Sequence, residues 1–146
     1  SDNNVAYTFH FYAASHGGLK SKIHKAIKNG AAIVCTEWGI CENTGNGRLD
    51  FNEAQKFLDI FHQYGIGHAN WSIHNKPESC SALKSGQTDI TNVNNLSESG
   101  KWMRNKLREL SGASTGSTSS GTSKFIDMRV GAFDRCTSPL HRKIIQ

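Results

Sequence analysis

Ala31-Ala32-Ile33-Val34-Cys35-Thr36-Glu37-Trp38-Gly39 is the stretch on which the reading of this chain turns. Asn29-Gly30 precedes it, and a short apolar run bounded by a turn signal reads as a buried strand of a parallel sheet, here Ala31 to Thr36. A carboxylate at the end of such a strand is costly to hide, so Glu37 is expected to emerge into a cleft. An aromatic follows at once, and then a glycine that lets the backbone turn. Barrel enzymes place a nucleophile or base at a strand end of this kind. The competing reading is a strand-end acid paired with a neighbouring helix.

Working outward, the pattern is strand then helix three times over. Val5 to Tyr12 is rich in aromatic and β-branched residues and predicts a strand. Leu19 to Asn29 has Leu19, Ile23, Ala26 and Ile27 at helical spacing, with Gly30 where a C-cap belongs. After a polar, glycine-rich loop, Asp50 and Glu53 form a capping signal for a helix that buries Phe51, Ala54, Phe57, Leu58 and Phe61 and ends at Tyr64-Gly65. Ile66 to Ile73 predicts a third strand, with Trp71 near its end. A long polar loop leads to Ser97, the expected cap of a final helix carrying Trp102, Met103, Leu107 and Leu110. Strands alternating with helices predict an α/β fold with a parallel sheet and right-handed crossovers.

Composition narrows the function classes. The 146 residues carry a formal charge of +5, are 36% hydrophobic and have a mean hydropathy of -0.51. Much of the charge excess lies after residue 112, and the helical lysines alternate with apolar residues rather than forming a basic, aromatic-studded stripe, so no nucleic-acid partner is expected. No stretch approaches the roughly 18 apolar residues of a membrane span, so no membrane partner is expected. The chain opens on Ser1-Asp2-Asn3-Asn4 and reads as a piece of something longer. From residue 111 to 123 it is almost wholly Ser, Thr and Gly, a disordered linker by composition, and 124–146 is a short basic tail of no evident role. Cys35, Cys41, Cys80 and Cys136 lack paired C-x-x-C spacing, so no metal or cofactor is expected; a Cys41–Cys80 bridge is open in an oxidising compartment. Glu42 to Glu53 has the length of a calcium loop but the wrong residues at its first and third positions, and it follows a strand. Of the sequons at Asn70 and Asn95, only Asn95 reads as a glycan acceptor.

The three strand ends then offer His10 and Tyr12, Glu37 and Trp38, and Trp71 with Lys76 and Glu78 just beyond. A carboxylate, an imidazole, a phenol and indoles on one face suit a sugar, because indole faces stack on the apolar faces of pyranose rings. Taken singly, His10, Tyr12 and Trp71 read equally as packing residues, and Glu78 as a solvated loop acid.

Asn4-Val5-Ala6-Tyr7-Thr8-Phe9-His10-Phe11-Tyr12-Ala13, Thr36-Glu37-Trp38-Gly39, Asn70-Trp71-Ser72 with Lys76, Glu78 and Ser79, and Leu96-Ser97-Glu98-Ser99-Gly100 together resemble glycoside hydrolase family 5 cellulases. The resemblance covers residues 3 to about 110 in the correct order. It implies strands six to eight of a TIM (β/α)8 barrel, a partial catalytic domain over 1–110, and hydrolysis of internal β-1,4-glucosidic bonds by retaining double displacement. It implies Glu37 as nucleophile, with His10 and Tyr12 lining the cleavage subsite and Tyr12 touching Glu37. Trp71 would form the floor under a glucose ring, Lys76 and Glu78 would hold sugar hydroxyls, and Trp38 would add to the aromatic shelf. It further implies a secreted protein, a β-glucan substrate and a monomer when complete. The family's acid/base Glu lies in an Asn-Glu-Pro motif, and here Asn52-Glu53 is followed by Ala54, so the chain on its own is expected to be inactive. The alternative is a non-catalytic glucan-binding or interaction protein using the same aromatic surface.

Overall fold

The computed structural model describes residues 5–111; the expected linker from residue 112 onward and the basic tail lie outside the described residues. Six elements follow in order: β1 (Tyr7–Tyr12), α1 (Lys20–Lys28), β2 (Ile33–Gly39), α2 (Phe51–Tyr64), β3 (His68–Asn70) and α3 (Glu98–Leu110). The strands form one parallel sheet in the order β1-β2-β3. Consecutive strands are therefore neighbours joined through a helix, which is the expected α/β grammar.

The element ends have local causes. Asp50 caps α2 by accepting from the Glu53 N–H at 3.0 Å, and Gly65 closes it at a left-handed φ of 66°. Ser97 caps α3 by accepting from the Gly100 N–H at 3.0 Å. α1 has no side-chain cap; a one-turn 3-10 segment, Gly17–Leu19, leads into it. The strand boundaries differ from expectation: β1 begins at Tyr7 rather than Val5, and β2 at Ile33 rather than Ala31. β2 does not stop at Thr36 but runs on through Glu37 and Trp38 to Gly39. β3 is only three residues long: Ile66 closes α2, its N–H donating to Phe61 O at 2.8 Å, and the strand ends at Asn70, with Ile73 beyond it 75% exposed.

The core lies between the sheet and α2. Phe9 and Phe11 of β1 point toward that helix, where Phe11 stacks on Phe57 with ring centroids 3.8 Å apart and meets Phe61 edge-on at 5.7 Å. Trp38 lies parallel to Phe11 at 5.4 Å. Ile23 of α1, with Ala54 and Ile60 of α2, completes the cluster. Truncating one of these large rings to alanine costs ~3–5 kcal/mol. Because Phe9 and Phe11 face the helix, strand alternation turns Thr8, His10 and Tyr12 to the opposite face of the sheet.

Among the described residues, no strand pairs with the outer edges of β1 and β3. Val5, Tyr7, Trp71 and Ile73 are exposed apolar residues at its margins. Beside β1 lies a groove of about 560 Å³ lined by Tyr7, Phe9, Ile23, Ala26 and Ile33 among others.

Candidate active site

The face opposite α2 holds a connected set of polar side chains, and a β-bulge builds it. Along β1 and β2 the register pairs Phe9 with Cys35 and then His10 with Glu37, so Thr36 is the extra residue. A bulge lets two successive residues share a face and re-aims a side chain. Here Cys35 and Trp38 both turn to the core, while Thr36 and Glu37 both turn to the face carrying Thr8, His10 and Tyr12.

Glu37 accepts a hydrogen bond from the Tyr12 hydroxyl at 2.8 Å. Burial, the bond to Glu37 and the charges of Glu37 and Glu78 push the Tyr12 phenol well above its ordinary value, so it stays protonated and keeps donating. His10 Nε2 lies 2.7 Å from Thr36 Oγ1, which in turn lies 2.5 Å from Thr8 Oγ1.

The backbone of β1 is fixed just beyond Tyr12. The Tyr12 N–H donates to His16 Nδ1 at 2.9 Å, and the Ala13 N–H donates to Gly39 O at 2.8 Å. Gly39 is needed for close approach: a Cβ there would lie 2.6 Å from the Tyr12 ring and 2.7 Å from Cys80 Sγ. The Cys41–Cys80 bridge, which the sequence left open, is formed, with Cα atoms 5.6 Å apart. It ties the loop after β2 to the loop after β3. Ser79 N–H, donating to Asn46 Oδ1 at 3.0 Å, ties the same loops again.

The loop after β3 brings the remaining predicted residues. Trp71, 41% exposed, is hung on β2 by its N–H, which donates to Trp38 O at 2.7 Å, one residue past Glu37. The His74 ring meets Trp71 edge-on at 6.3 Å, and its Nε2 lies 3.6 Å from Glu78 Oε2. Glu78 is near enough to Tyr12 for its charge to raise the phenol. Lys76 is exposed on this loop; its carbonyl accepts from the buried Ser81 hydroxyl at 2.6 Å.

One predicted site residue does not belong to the group. Trp38 is 0% exposed: its ring is stacked on Phe11, and its Nε1 donates to His68 Nδ1 at 3.2 Å. It offers no face to a sugar, and the bulge is the physical reason. Two residues escaped the sequence reading. Thr36 enters the sequence reading only as the last residue of the second strand and the first of the Thr36–Gly39 motif, although two polar residues between two apolar ones break period two and signal a bulge. His68, half-buried against Trp38 and Phe61, carried no signal in the sequence.

Chemically, the set is a carboxylate held by a protonated phenol, beside an imidazole and a half-exposed indole, at the C-terminal end of a parallel sheet. Known proteins carry the same stretch. The sequence pattern of Cellulase (glycosyl hydrolase family 5) matches residues 1–77. Endoglucanase A of Evansella cellulosilytica is 41% identical over 111 residues, which are 74% of this chain and 23% of that protein. Endoglucanase N of Pectobacterium atrosepticum is 38% identical over 110 residues, 73% of this chain and 25% of that protein. Among solved structures, the catalytic domain of Thermobifida fusca endoglucanase Cel5A (E5) superposes with a TM-score of 0.66 at 29% identity, covering 72% of this chain and 35% of that one. The alkaline cellulase K catalytic domain superposes with a TM-score of 0.64 at 28% identity, over 81% of this chain and 40% of that one. The chain thus spans about a quarter of the length of these curated relatives. The fold of these relatives is the TIM barrel, of which the three parallel strands and their helices are a part, and the chain belongs to the cellulases of glycosyl hydrolase family 5.

Proposed function

We propose that residues 5–111 work as strands six to eight, with their helices, of a (β/α)8-barrel endo-β-1,4-glucanase. The complete enzyme cleaves internal bonds of cellulose-like polysaccharides with retention of configuration. Glu37 attacks the anomeric carbon, and the glucosyl–Glu37 ester that forms is then hydrolysed by water. Tyr12 holds the attacking carboxylate in place, His10 lines the cleavage subsite, Trp71 stacks on a glucose ring, and Lys76 and Glu78 bind sugar hydroxyls one subsite along. The proton donor comes from a segment outside these 146 residues, about 5–5.5 Å from Glu37 in a retaining pair.

The observation that carries this reading is the Tyr12–Glu37 hydrogen bond at the end of the sheet where barrel enzymes do their chemistry. The outer edges of β1 and β3, which pair with no strand among the described residues, and the apolar groove beside β1 support a larger barrel around this part. The Cys41–Cys80 bridge supports secretion into an oxidising compartment, where the complete protein acts as a monomer.

The test is turnover of carboxymethylcellulose by the full-length parent protein. Glu37→Gln is expected to lose far more rate than Lys76→Ala, because only Glu37 forms the covalent bond. Comparable losses would mean that Glu37 is misassigned. Glucan binding without hydrolysis by the intact parent would favour the non-catalytic alternative instead.

A further inference from the structure

We propose that His74 is a positioning residue for sugar binding: with its Nδ1–H committed to Ser81, its Nε2 carries a proton to the Glu78 carboxylate and holds that acid where it meets the sugar. The role of Glu78 as a sugar ligand rests on the glucanase reading above; the assignment of the His74 nitrogens does not.

Ser81 Oγ lies 2.6 Å from the Lys76 carbonyl oxygen and 2.7 Å from His74 Nδ1. Contacts this short need a proton between the two atoms. The carbonyl has none to give, so the one hydroxyl proton of Ser81 goes to Lys76 O. The proton between Ser81 and His74 then belongs to the ring, and Nδ1 is its donor. The Lys76 N–H also faces Nδ1, but from 3.4 Å, longer than the roughly 2.7–3.2 Å of a good N–H bond, and the two short contacts outweigh it. Solvent does not scramble this pattern. Ser81 is 1% exposed, and its carbonyl accepts from the hydroxyl of Ser97, the cap of α3.

With Nδ1 fixed as a donor, Nε2 is the nitrogen at which His74 gains or loses a proton. It is buried, has no hydrogen-bond partner among the described residues, and lies 3.6 Å from Glu78 Oε2. A bare Nε2 would set a lone pair against a carboxylate. The pair is therefore attractive only with a proton on Nε2, as an imidazolium facing a carboxylate. The other groups bonded to or packed on the ring are uncharged: the Trp71 indole, the Ser81 hydroxyl and the Lys76 N–H. Beyond Glu78 come Tyr12 of β1, whose phenol feels the Glu78 charge, and Glu37 of β2, which Tyr12 holds.

The experiment has two arms on the full-length parent. Long-range 15N–1H correlation on histidine-labelled protein is recorded at pH 8 and at about pH 5, either side of the ordinary imidazole range. The His74 signals are assigned by their loss in His74→Asn or, should that variant not fold, in His74→Gln. Nδ1 is expected to be protonated at both pH values, with Nε2 gaining its proton at the lower. The second arm is steady-state kinetics on a soluble cellooligosaccharide at the lower pH. His74→Asn keeps an amide donor for Ser81 but nothing for Glu78. It should raise KM about tenfold with kcat little changed, the scale of one charge-assisted hydrogen bond. In a Glu78→Gln background the same substitution should raise KM no further, whereas a merely structural role would cost the same in both backgrounds. A bare Nδ1 at pH 8, or an equal rise in KM with and without Glu78, would overturn the proposal. A parent with the expected ring pattern but no turnover would overturn the glucanase reading. A parent that cleaves the oligosaccharide with a KM insensitive to His74→Asn would overturn this proposal alone.

Discussion

The Tyr12 hydroxyl donates to Glu37 Oε1 at 2.8 Å, joining β1 to β2 across the sheet face that faces away from the core. The bond exists because the bulge at Thr36 swings Glu37 onto the side of Tyr12, and because Gly39 leaves room for the phenol ring. Tyr12→Phe removes the donor while keeping the ring. In the full-length parent it is expected to lower kcat/KM about ten- to a hundredfold. Steady-state kinetics on a soluble cellooligosaccharide would check this, and unchanged kinetics would remove Tyr12 from the machinery.

Gly39→Ala acts on the same bond by another route. The added methyl meets the Tyr12 ring at 2.6 Å and Cys80 Sγ at 2.7 Å, and neither neighbour is a flexible chain end. Activity is expected to fall at least as far as in Tyr12→Phe, together with a loss of about 1–3 kcal/mol of stability from overpacking. Urea midpoints and kinetics on one preparation separate the two effects.

Legibility followed the local signals. α2 was readable end to end because Asp50 and Gly65 mark its caps and because Ala54, Phe57, Leu58 and Phe61 repeat at helical spacing. The emergence of Glu37 from a strand end was legible because a carboxylate after an apolar strand is costly to bury, but its partner was not legible in the residues themselves: only the register brings it to Tyr12 on β1. Trp38 was misread as part of the sugar shelf because only the tertiary register reveals the bulge that sends it into the core. β3 was overestimated because Ile66 looks like a strand residue until its N–H is seen closing α2. The Cys41–Cys80 pairing needed the two loops to be brought together, which no spacing in the sequence encodes.

His68 supplies a pH prediction. Burial pushes its imidazole below the ordinary value, and its Nδ1 accepts from the Trp38 indole, which only an unprotonated nitrogen does. The unfolded chain binds a proton near pH 6.5 and the folded chain resists it, so acidification favours unfolding. Stability is therefore present above about pH 6.5 and declines as the pH falls toward the depressed folded-state value. Urea midpoints at pH 7.5 and 5.5 would show the fall, and His68→Gln should flatten it. An equal pH dependence in the variant would contradict the assignment.

The Cys41–Cys80 bridge closes a separation of 39 residues. Loop-closure entropy alone assigns it about 4 kcal/mol. Cys41→Ser with Cys80→Ser is expected to lose 2–4 kcal/mol, an order-of-magnitude figure from the same relation. In the parent it should raise KM more than it lowers kcat, because the loop it ties down carries Glu78. A loss confined to kcat would place the bridge's effect on Tyr12 and Glu37 instead.

On the proposed reading, in which a segment outside these residues supplies the proton donor, the 146-residue chain by itself is expected to turn over no carboxymethylcellulose. Turnover by the purified chain, abolished by Glu37→Gln, would refute this.

The most direct test of the central claim is to trap the covalent intermediate. The full-length parent is incubated with a 2-deoxy-2-fluoro cellobioside carrying an activated leaving group, digested, and its peptides sequenced by mass spectrometry. The predicted result is one fluorocellobiosyl group esterified to Glu37. A label on a different carboxylate, or an active enzyme that is never labelled, would contradict the account.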